Sequence, residues 1–514
     1  MPVIPVVTPD QAKAWDQLSE SSGRPLRTLM ESAGRAVAQL ALERMGPQAA
    51  QGVLVACGAG NNGGDGWVAA RLLHRLGLPV WVVESEAARS PLAQLVRGDA
   101  LADGVRTLAV DGPWPAVGLV IDALLGTGAS GAPRAPIPEL LHRLADLQRP
   151  LIAVDGPTGL DLATGVSYGA LPARCTVTFG GPRRGQLLAR DEVGDLVIAE
   201  IGLPAPDAAW PVLVRRAWAA SRLTPLPSRS HKGTRGRVVI VGGSEGMTGA
   251  ARLAARAAFG AGAGLVHLVA PAGAAATLRT AEPDMQVVEH PFAGPLDHAL
   301  VALLHRADVV VIGPGLGRAA ERRDFVLAVL RESARAVIDA DALVALRDAE
   351  GPLAELAAAK PLVLTPHLGE FRTLFPTCSH SLETDPWGAA ETAAARLPVT
   401  LLLKGVPTVI ARHGQPTRTV AAGNPGLATG GSGDVLSGIL GTMLAQLDDP
   451  LDAAAVAAQA LGDAADHAAR RTTARAMRPM DVVTALADVW GWWGRESHTP
   501  RAPVLHELPA PRRE

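Results

Sequence analysis

The chain has 514 residues, 48% of them hydrophobic, and a formal net charge of −2. That length exceeds what one core can organise, so two or more domains are expected. The near-neutral balance gives no electrostatic case for nucleic acid or a membrane surface, and no apolar run approaches the ~20 residues of a membrane span.

The first ten residues lack a basic segment followed by an apolar one, so no secretory leader is expected and the expected compartment is the cytoplasm. Residues 10–46 read as helix, with Asp10 as the N-cap and apolar residues recurring at helical spacing. Gly52–Cys57 is an apolar run ending in Gly-Ala-Gly-Asn-Asn-Gly-Gly-Asp-Gly (Gly58–Gly66), with helical periodicity from Trp67 to Leu76. Further strands are expected at Pro79–Glu84, Leu119–Ala123 and Pro150–Val154, with shorter ones at Cys175–Phe179 and Leu196–Ile201. Leu119–Ala123 runs into Leu-Leu-Gly-Thr-Gly, and Pro150–Val154 into Asp-Gly-Pro-Thr-Gly-Leu-Asp (Asp155–Asp161). Strands alternating with helices imply a mainly parallel, three-layer α/β domain. Cys57, Cys175 and Cys378 have neither a metal-binding spacing nor the pattern of a disulfide framework.

Prolines 204, 206, 211, 225 and 227 break the pattern as a linker would. The basic run Ser228–Arg237 is short enough to be a substrate-side loop or a solvated turn. Strands then recur at Val238–Val241, Leu265–Val269, Val309–Ile312, Ala336–Ile338 and Leu362–Leu364. Val399–Lys404 and Thr408–Ala411 read as a hairpin at the sheet edge. The stretch Asn424–Gly438, Asn-Pro-Gly-Leu-Ala-Thr-Gly-Gly-Ser-Gly-Asp-Val-Leu-Ser-Gly, turns helical at Val435. It reads either as a tight turn with a helix-favouring Asp434, or as an anion hole with a general base beside it. Trp490, Trp492 and Trp493 read as a helix anchor on the domain surface or a subunit contact, and with the Ala-rich helices suggest a homo-oligomer. Prolines 500, 503, 509 and 511 suggest that residues 496–514 form a mobile tail.

Asn61, Asn62, Gly63, Gly64 and Asp65 lie at one strand end, and Asp122 and Asp155 end two others. Ends of parallel strands gather on one edge, so these segments can converge on one cleft. Two adjacent asparagines before Gly-Gly-Asp do not fit a dinucleotide fingerprint. Their oxygens, with the Thr158 hydroxyl, suit a hard monovalent cation or a ribose-phosphate better than zinc. Asp65 and Asp161 fit loop-stabilising turns as well as they fit catalysis.

These motifs together resemble the NAD(P)H-hydrate epimerase domain over residues 10–215. The resemblance implies that Asn61, Asn62, Gly63, Gly64 and Asp65 bind the hydrated dinucleotide. It implies the same for the loop Gly126, Thr127, Gly128, Ala129, Ser130, Gly131 and Ala132. It further implies a potassium ion on Asn62, Asp122 and Thr158, and Asp155 as a substrate-contacting acid/base. Gly156 stands where that family more often has an apolar residue; Thr158 replaces the commoner Ser and keeps its hydroxyl. The implied substrate carries a hydroxyl on the ring carbon next to the ring nitrogen. Inverting that centre takes reversible loss of the hydroxyl, or ring opening, and both need proton transfers.

The second half carries His231–Gly233, Gly242–Ala250, Gly313–Gly317, Asp339–Leu343, Thr365–Glu370, Lys404–Thr408 and the Asn424 stretch, in that order. This series is similar to the ADP/ATP-dependent NAD(P)H-hydrate dehydratases, over residues 223–493, and the whole chain resembles the bifunctional NAD(P)H-hydrate repair enzymes. The implied architecture is a Rossmann-like three-layer α/β/α domain (1–215), a linker (216–228), a ribokinase-like α/β domain (229–495) and the tail. By resemblance, Ala250, Gly317, His367 and Asp434 contact the hydrated nicotinamide nucleotide, NADHX or NADPHX. Lys404, Gly405, Val406, Pro407 and Thr408, with Gly430, Gly431, Ser432 and Gly433, contact the adenine nucleotide. Magnesium would accompany ADP or ATP, with ADP suggested by the bacterial-type members. His367 could equally cap a loop. Asp339 and Asp341 could hold magnesium through water or cap the next helix, and Glu370 is equally open. Ala281–Met285 matches the family's pattern only loosely. The rival reading is a ribokinase-like small-molecule kinase with a non-catalytic nucleotide-binding module in front.

Overall fold

The computed structural model describes residues 3–496 and 505–511. The chain divides into two compact units: one ends at Trp210 and takes in the stretch 505–510, and the other starts at Pro211.

The strands of the first unit are β1 (Val53–Cys57), β2 (Val80–Glu84), β3 (Arg106–Leu108), β4 (Leu119–Ala123), β5 (Leu151–Val154), β6 (Cys175–Phe179) and β7 (Asp195–Ala199). With the strand Leu505–Leu508 they form a sheet in the order Leu505–Leu508, β7, β6, β5, β4, β1, β2, β3. All pairings are parallel except that of the last strand in the chain, which runs antiparallel to β7. Every residue of β1, β4, β5 and β6 is buried, as a parallel sheet covered on both faces requires.

The expected helix over 10–46 is two helices, Pro9–Ser21 and Leu26–Ala49, separated by Gly23 at φ 81° and Pro25. Thr8, rather than Asp10, caps the first through a reciprocal box with Gln11. The Asn61–Gly66 segment is not a loop: a helix runs from Asn61 to Arg75. Its glycines serve close packing, since a Cβ on Gly63 would stand 1.9 Å from the Gly58 carbonyl oxygen. Part of the expected tail is an edge strand. His506 lies opposite Ile198, and the Arg190 guanidinium donates to the carbonyls of Leu508 (2.9 Å) and Pro509 (2.6 Å). The prolines bound this strand rather than interrupt it, so they do not block pairing with the open edge of β7.

The second unit contains β8 (Val212–Leu213), β9 (Arg237–Val241), β10 (Leu265–Ala270), β11 (Gln286–Glu289), β12 (Val309–Ile312), β13 (Ala336–Ile338), β14 (Leu362–Leu364), β15 (Thr400–Leu403), β16 (Thr408–Arg412) and β17 (Arg418–Val420). Their order is β11, β10, β9, β12, β13, β14, β15, β16, β17, β8. Only the β15–β16 and β16–β17 pairs are antiparallel. The expected hairpin exists, but β17 and β8 extend the sheet beyond it. The expected linker is likewise folded: β8 precedes 216–228, and a helix covers Arg216–Arg222. Arg216 pairs with the buried Asp463 at 2.8 Å, and Ala219 and Ala220 are buried, which fixes this segment to its unit.

The helix Ser432–Gln446 begins three residues before Val435 and packs against the helix Thr248–Gly260. Gly438 makes this possible, because a Cβ there would lie 2.0 Å from the Ala254 carbonyl oxygen. The C-terminal tryptophans are not surface anchors. Trp493 is buried and donates to Asp463 (2.9 Å), and Trp490 donates to the Gly260 carbonyl (2.7 Å). Among the described residues, no helix is long and apolar enough to cross a membrane.

Gly438→Ala is expected to destabilise the second unit by about 1–3 kcal/mol, because backbone cannot yield as a side chain can. Urea unfolding measures this. Gly491→Ala, where a new Cβ meets nothing within 4 Å, is the control and should not lower the midpoint.

Candidate functional sites

The three N-terminal segments do converge. A Cβ on Gly126 would stand 2.8 Å from Asn62 Oδ1 and 3.0 Å from Asp155 Oδ2, so this glycine sits between the other two. Asp155 follows β5 and has a left-handed backbone (φ 62°), a conformation that non-glycine residues keep mainly where surroundings enforce it. Its N–H donates to Val177 O at 2.7 Å, and its carbonyl accepts from the Gln186 amide. Its Oδ2 accepts from the Thr127 N–H (2.7 Å) and hydroxyl, and its Oδ1 from Arg183 Nη2 (3.0 Å). Arg183 is 5% exposed and also donates to the Thr127 hydroxyl at 2.9 Å. The rest of that loop, Gly128–Ala132, is a mostly exposed turn.

Asp122, the fourth residue of β4, is 1% exposed. Its carboxylate accepts from the Thr158 hydroxyl (2.7 Å), the Thr158 N–H (2.8 Å) and the Leu124 N–H (3.2 Å). Burial lifts its carboxyl above the usual range, against the pull of the Thr158 bonds. Both polar atoms of the Asn62 side chain are buried without a partner. Among the described residues no three His, Cys, Asp or Glu side chains gather to hold a metal. The donor set here is instead amide, hydroxyl and one carboxylate, which fits a hard monovalent cation.

In the second unit the site grows from the ends of β12 to β15 and the start of the Ser432–Gln446 helix. Asp339 follows β13 and is 1% exposed. Lys404, just past β15, places Nζ 2.8 Å from Asp339 Oδ1 and 3.8 Å from Glu370 Oε2. Ser437 donates to Asp339 Oδ2 at 2.6 Å. Burial opposes the Asp339 charge, yet Lys404 and the hydroxyls of Ser437 and Thr365 hold its carboxyl below the usual range. A Cβ on Gly433 would lie 3.4 Å from Lys404 Nζ, so the ammonium sits at the helix N-terminus. Gly431 caps that helix at φ 101°; the Ser432 N–H donates back to Thr429 O (3.2 Å) and the first intrahelical bond comes from the Val435 N–H, which leaves the amides of Gly433 and Asp434 for an anion. Asp434 stands on this turn, its carboxyl pushed up to about 6 by burial and by Asp339, with Lys404 pulling it down.

Asp341 accepts from the Gly317 N–H (3.0 Å) and pairs with Arg318 (2.9 Å). Gly317 lies by Ser244, and Gly315 by Ala250, so the Gly242–Ala250 and Gly313–Gly317 motifs meet at this turn. His367 caps the helix Leu368–Leu374. Its Nδ1 accepts from the N–H groups of Gly369 and Glu370, and Glu370 caps back onto the His367 N–H. The side chain is 60% exposed, and its other nitrogen, Nε2, lies 3.4 Å from Glu370 Oε1. Lys404 and Gly405–Pro407 join β15 to β16, which Thr408 opens; Val406 is exposed and its bond to Pro407 is cis. Glu282 of the loosely matching segment is spent on Arg252 (2.8 Å) and Arg256 (2.9 Å).

Sequence reasoning missed Arg183, Ser437 and Asp16. Ser437 was legible, being one turn from Asp434 within the quoted stretch. Arg183 and Asp16 reach the first site from distant segments, and nothing in their neighbours signals it.

The family profile described as NAD(P)H-hydrate dehydratase matches residues 238–487, and that described as the YjeF-related protein N-terminus matches residues 26–185. The chain is 38% identical to the bifunctional NAD(P)H-hydrate repair enzyme of Escherichia coli, over 90% of this chain and 89% of that protein. It is 37% identical to the enzyme of the same name from Moorella thermoacetica, over 94% of this chain and 96% of that one. A solved ADP/ATP-dependent NAD(P)H-hydrate dehydratase from Bacillus subtilis, co-crystallised with ATP and magnesium, is 26% identical with a TM-score of 0.48, covering 54% of this chain and 97% of its own.

Lys404→Met should destabilise the second unit by about 3–5 kcal/mol at neutral pH, because it strands a buried Asp339 charge. The folded Asp339 carboxyl titrates below its unfolded value, so the pair's contribution is present above the unfolded pKa and is lost as pH falls through the folded one. Urea midpoints of the two proteins should therefore converge in acid.

Proposed function

The chain belongs to the bifunctional NAD(P)H-hydrate repair enzymes, and from that premise we propose which residues carry its two reactions. The enzyme epimerises hydrated NAD(P)H and dehydrates it back to NAD(P)H. The observation that carries the residue assignment is the pairing of Asp434 with a helix N-terminus and the Lys404 ammonium.

In the dehydratase unit, Ala250, Gly317 and His367 flank the hydrated ring and Asp434 is the general base. Hydroxide is a poor leaving group. Asp434 takes the proton of the ring hydroxyl while the terminal phosphoryl of the adenine nucleotide passes to that oxygen. The amides of Gly430, Gly431 and Gly433 and the Lys404 ammonium stabilise the charge on the phosphoryl in transit, while Ser432 is tied back to Thr429. The phosphate ester then departs, driven by the ring-nitrogen lone pair; the resulting C=N cation loses a proton from the neighbouring ring carbon to solvent, and the dihydronicotinamide is restored. We assign ADP as donor, giving AMP and phosphate, with the segment Lys404–Thr408 against the nucleotide. Magnesium, bound through the phosphates, would shield their charge. Asp339 is the counter-ion that orients Lys404, and Ser437 orients Asp339.

In the epimerase unit, Asn61–Asp65 and Gly126–Ala132 cradle the dinucleotide, and Asp155 is the catalytic carboxylate. A potassium ion on Asn62, Asp122 and Thr158 would supply fixed positive charge beside the dinucleotide. The unpartnered Asn62 amide and the buried Asp122, which has no cationic side chain among its partners, support that site.

The test is recovery of dihydronicotinamide absorbance from mixed-epimer NADHX with magnesium, potassium, and ADP or ATP. Asp434→Asn should slow it by about 10²–10⁴-fold. A base must be ionised to act, so kcat/KM of dehydration should rise with pH through about 6 and then level. A stable phosphorylated product without recovered absorbance would overturn the dehydratase assignment. Faster recovery with ATP would overturn the donor.

A further inference from the structure

Beside the first site lies a pocket of about 90 Å³, walled by apolar side chains including Trp15 and Met30, and carrying Asp16, Asn61, Asp65 and Arg183. Asn61 belongs to the segment assigned to the hydrated dinucleotide. Arg183 is the ion-pair partner of Asp155, so the pocket and the catalytic carboxylate share one side chain. Asp155 itself is surrounded by donors: two from Thr127, one from Arg183 and, at 3.5 Å, the Thr178 hydroxyl. Donors aimed at both of its oxygens place this carboxylate to accept a proton in the direction considered. Inverting a carbon that bears a hydroxyl needs a donor as well, because the departing oxygen must leave as water.

Two carboxyls in the pocket could hold that proton. Asp65 stands on the segment assigned to hold the dinucleotide, and burial, with Asp155 and Asp16 adding repulsion, raises its carboxyl well above the usual range. Asp16 is different in position: it is exposed on the helix Pro9–Ser21, lines the pocket, and makes no hydrogen bond or ion pair among the described residues.

We propose that Asp16 is the proton donor of the epimerisation, with Asp155 as its basic counterpart; this rests on the epimerase reading of the site. Asp16 gives its carboxyl proton to the ring hydroxyl as the C–O bond breaks. The bonding pair leaves with the oxygen as water, and the ring-nitrogen lone pair forms a C=N bond. Water then adds to the other face of that carbon. As the new C–O bond forms, the water loses a proton to Asp155, and the nitrogen recovers its pair. Exchange with solvent resets the two carboxyls, and the reverse direction uses them in swapped order. Although the residue keeps access to solvent, partial desolvation of its carboxyl against the pocket wall raises it to about 6, with Arg183 lowering it and Asp155 raising it further, which suits an acid that must both give and regain a proton. An acid acts when protonated, so kcat/KM of epimerisation should fall as pH rises through that value.

The experiment uses the full chain with potassium and pure R-NADHX, without adenine nucleotide so that no dehydration intervenes, and follows the epimer ratio by chromatography. Asp16→Asn should lower kcat by about 10²-fold or more. It should leave NADHX binding unchanged and abolish the falling limb near pH 6. Asp16→Glu should restore part of kcat together with a shifted limb. Wild-type kcat and an unchanged profile in Asp16→Asn would overturn the proposal, as would a loss of NADHX binding that Asp16→Glu does not repair. A wild-type protein that leaves the epimer ratio at its uncatalysed rate would instead overturn the epimerase reading itself.

Discussion

In-register parallel pairing is the constraint on which both sites depend. Asp122 on β4 lies opposite Ala56 on β1 and Ala153 on β5, so the residues after each of these strands emerge at the same level. Asn62 and Asp155 belong to those continuations. In the second sheet Ile312, Ile338 and Leu364 are paired across three strands, and Leu364 pairs with Leu401 on a fourth. Gly313, Asp339, Thr365 and Lys404 follow at one edge in consequence. The sheet does not choose the chemistry; it only guarantees that polar residues placed one to five positions past an apolar run will meet. Side-chain type then decides what the meeting can do.

Each unit solves the same electrostatic problem with one cation. A carboxylate at a buried strand end loses most of its hydration and must be paired or left neutral. Asp155 is paired by Arg183, whose planar fork also reaches Thr127, so its geometry is rigid. Asp339 is paired by Lys404, a single ammonium that also faces Glu370 and the helix N-terminus. A compact ammonium suits a site in which the same charge must serve a resident carboxylate and a visiting phosphoryl group. Both sites also hold a non-glycine residue in the left-handed region, Asp155 at φ 62° and Ala340 at φ 48°. In each case the chain must turn at once after its strand for the neighbouring carboxylates to face the cleft.

How much of this was legible depended on range. Strand ends were readable because a buried parallel strand is a short, nearly continuous apolar run, and Leu119–Ala123 and Cys175–Phe179 appear with the expected bounds. The start of the helix at Asn61 was not, since glycines read as loop when the reason for them is contact with Gly58, Met30 and Ala123 from elsewhere in the chain. Prolines misled in the same way around 216–228 and 505–508, where segments are held by partners hundreds of residues away. The tryptophans near the C-terminus looked like surface anchors because their acceptors, Asp463 and Gly260, lie on other helices. Among site residues, those inside a motif were found, whereas Arg183 and Asp16 matter only through what folding brings beside them.

The two carboxyls that sit near 6 act with opposite sign. Asp434 serves as a base and is competent when ionised, whereas Asp16, as inferred above, serves as an acid and is competent when protonated. Raising the pH therefore strengthens dehydration while weakening epimerisation. A mixed-epimer pool would be limited by the dehydratase in acid and by resupply of the usable epimer in base. Neither carboxyl is displaced far, because each faces one cation that lowers it and at least one carboxylate that raises it. That balance keeps both groups able to exchange protons near neutrality. The requirement that one chain run an acid step and a base step in the same compartment thus falls on how completely each carboxyl is buried.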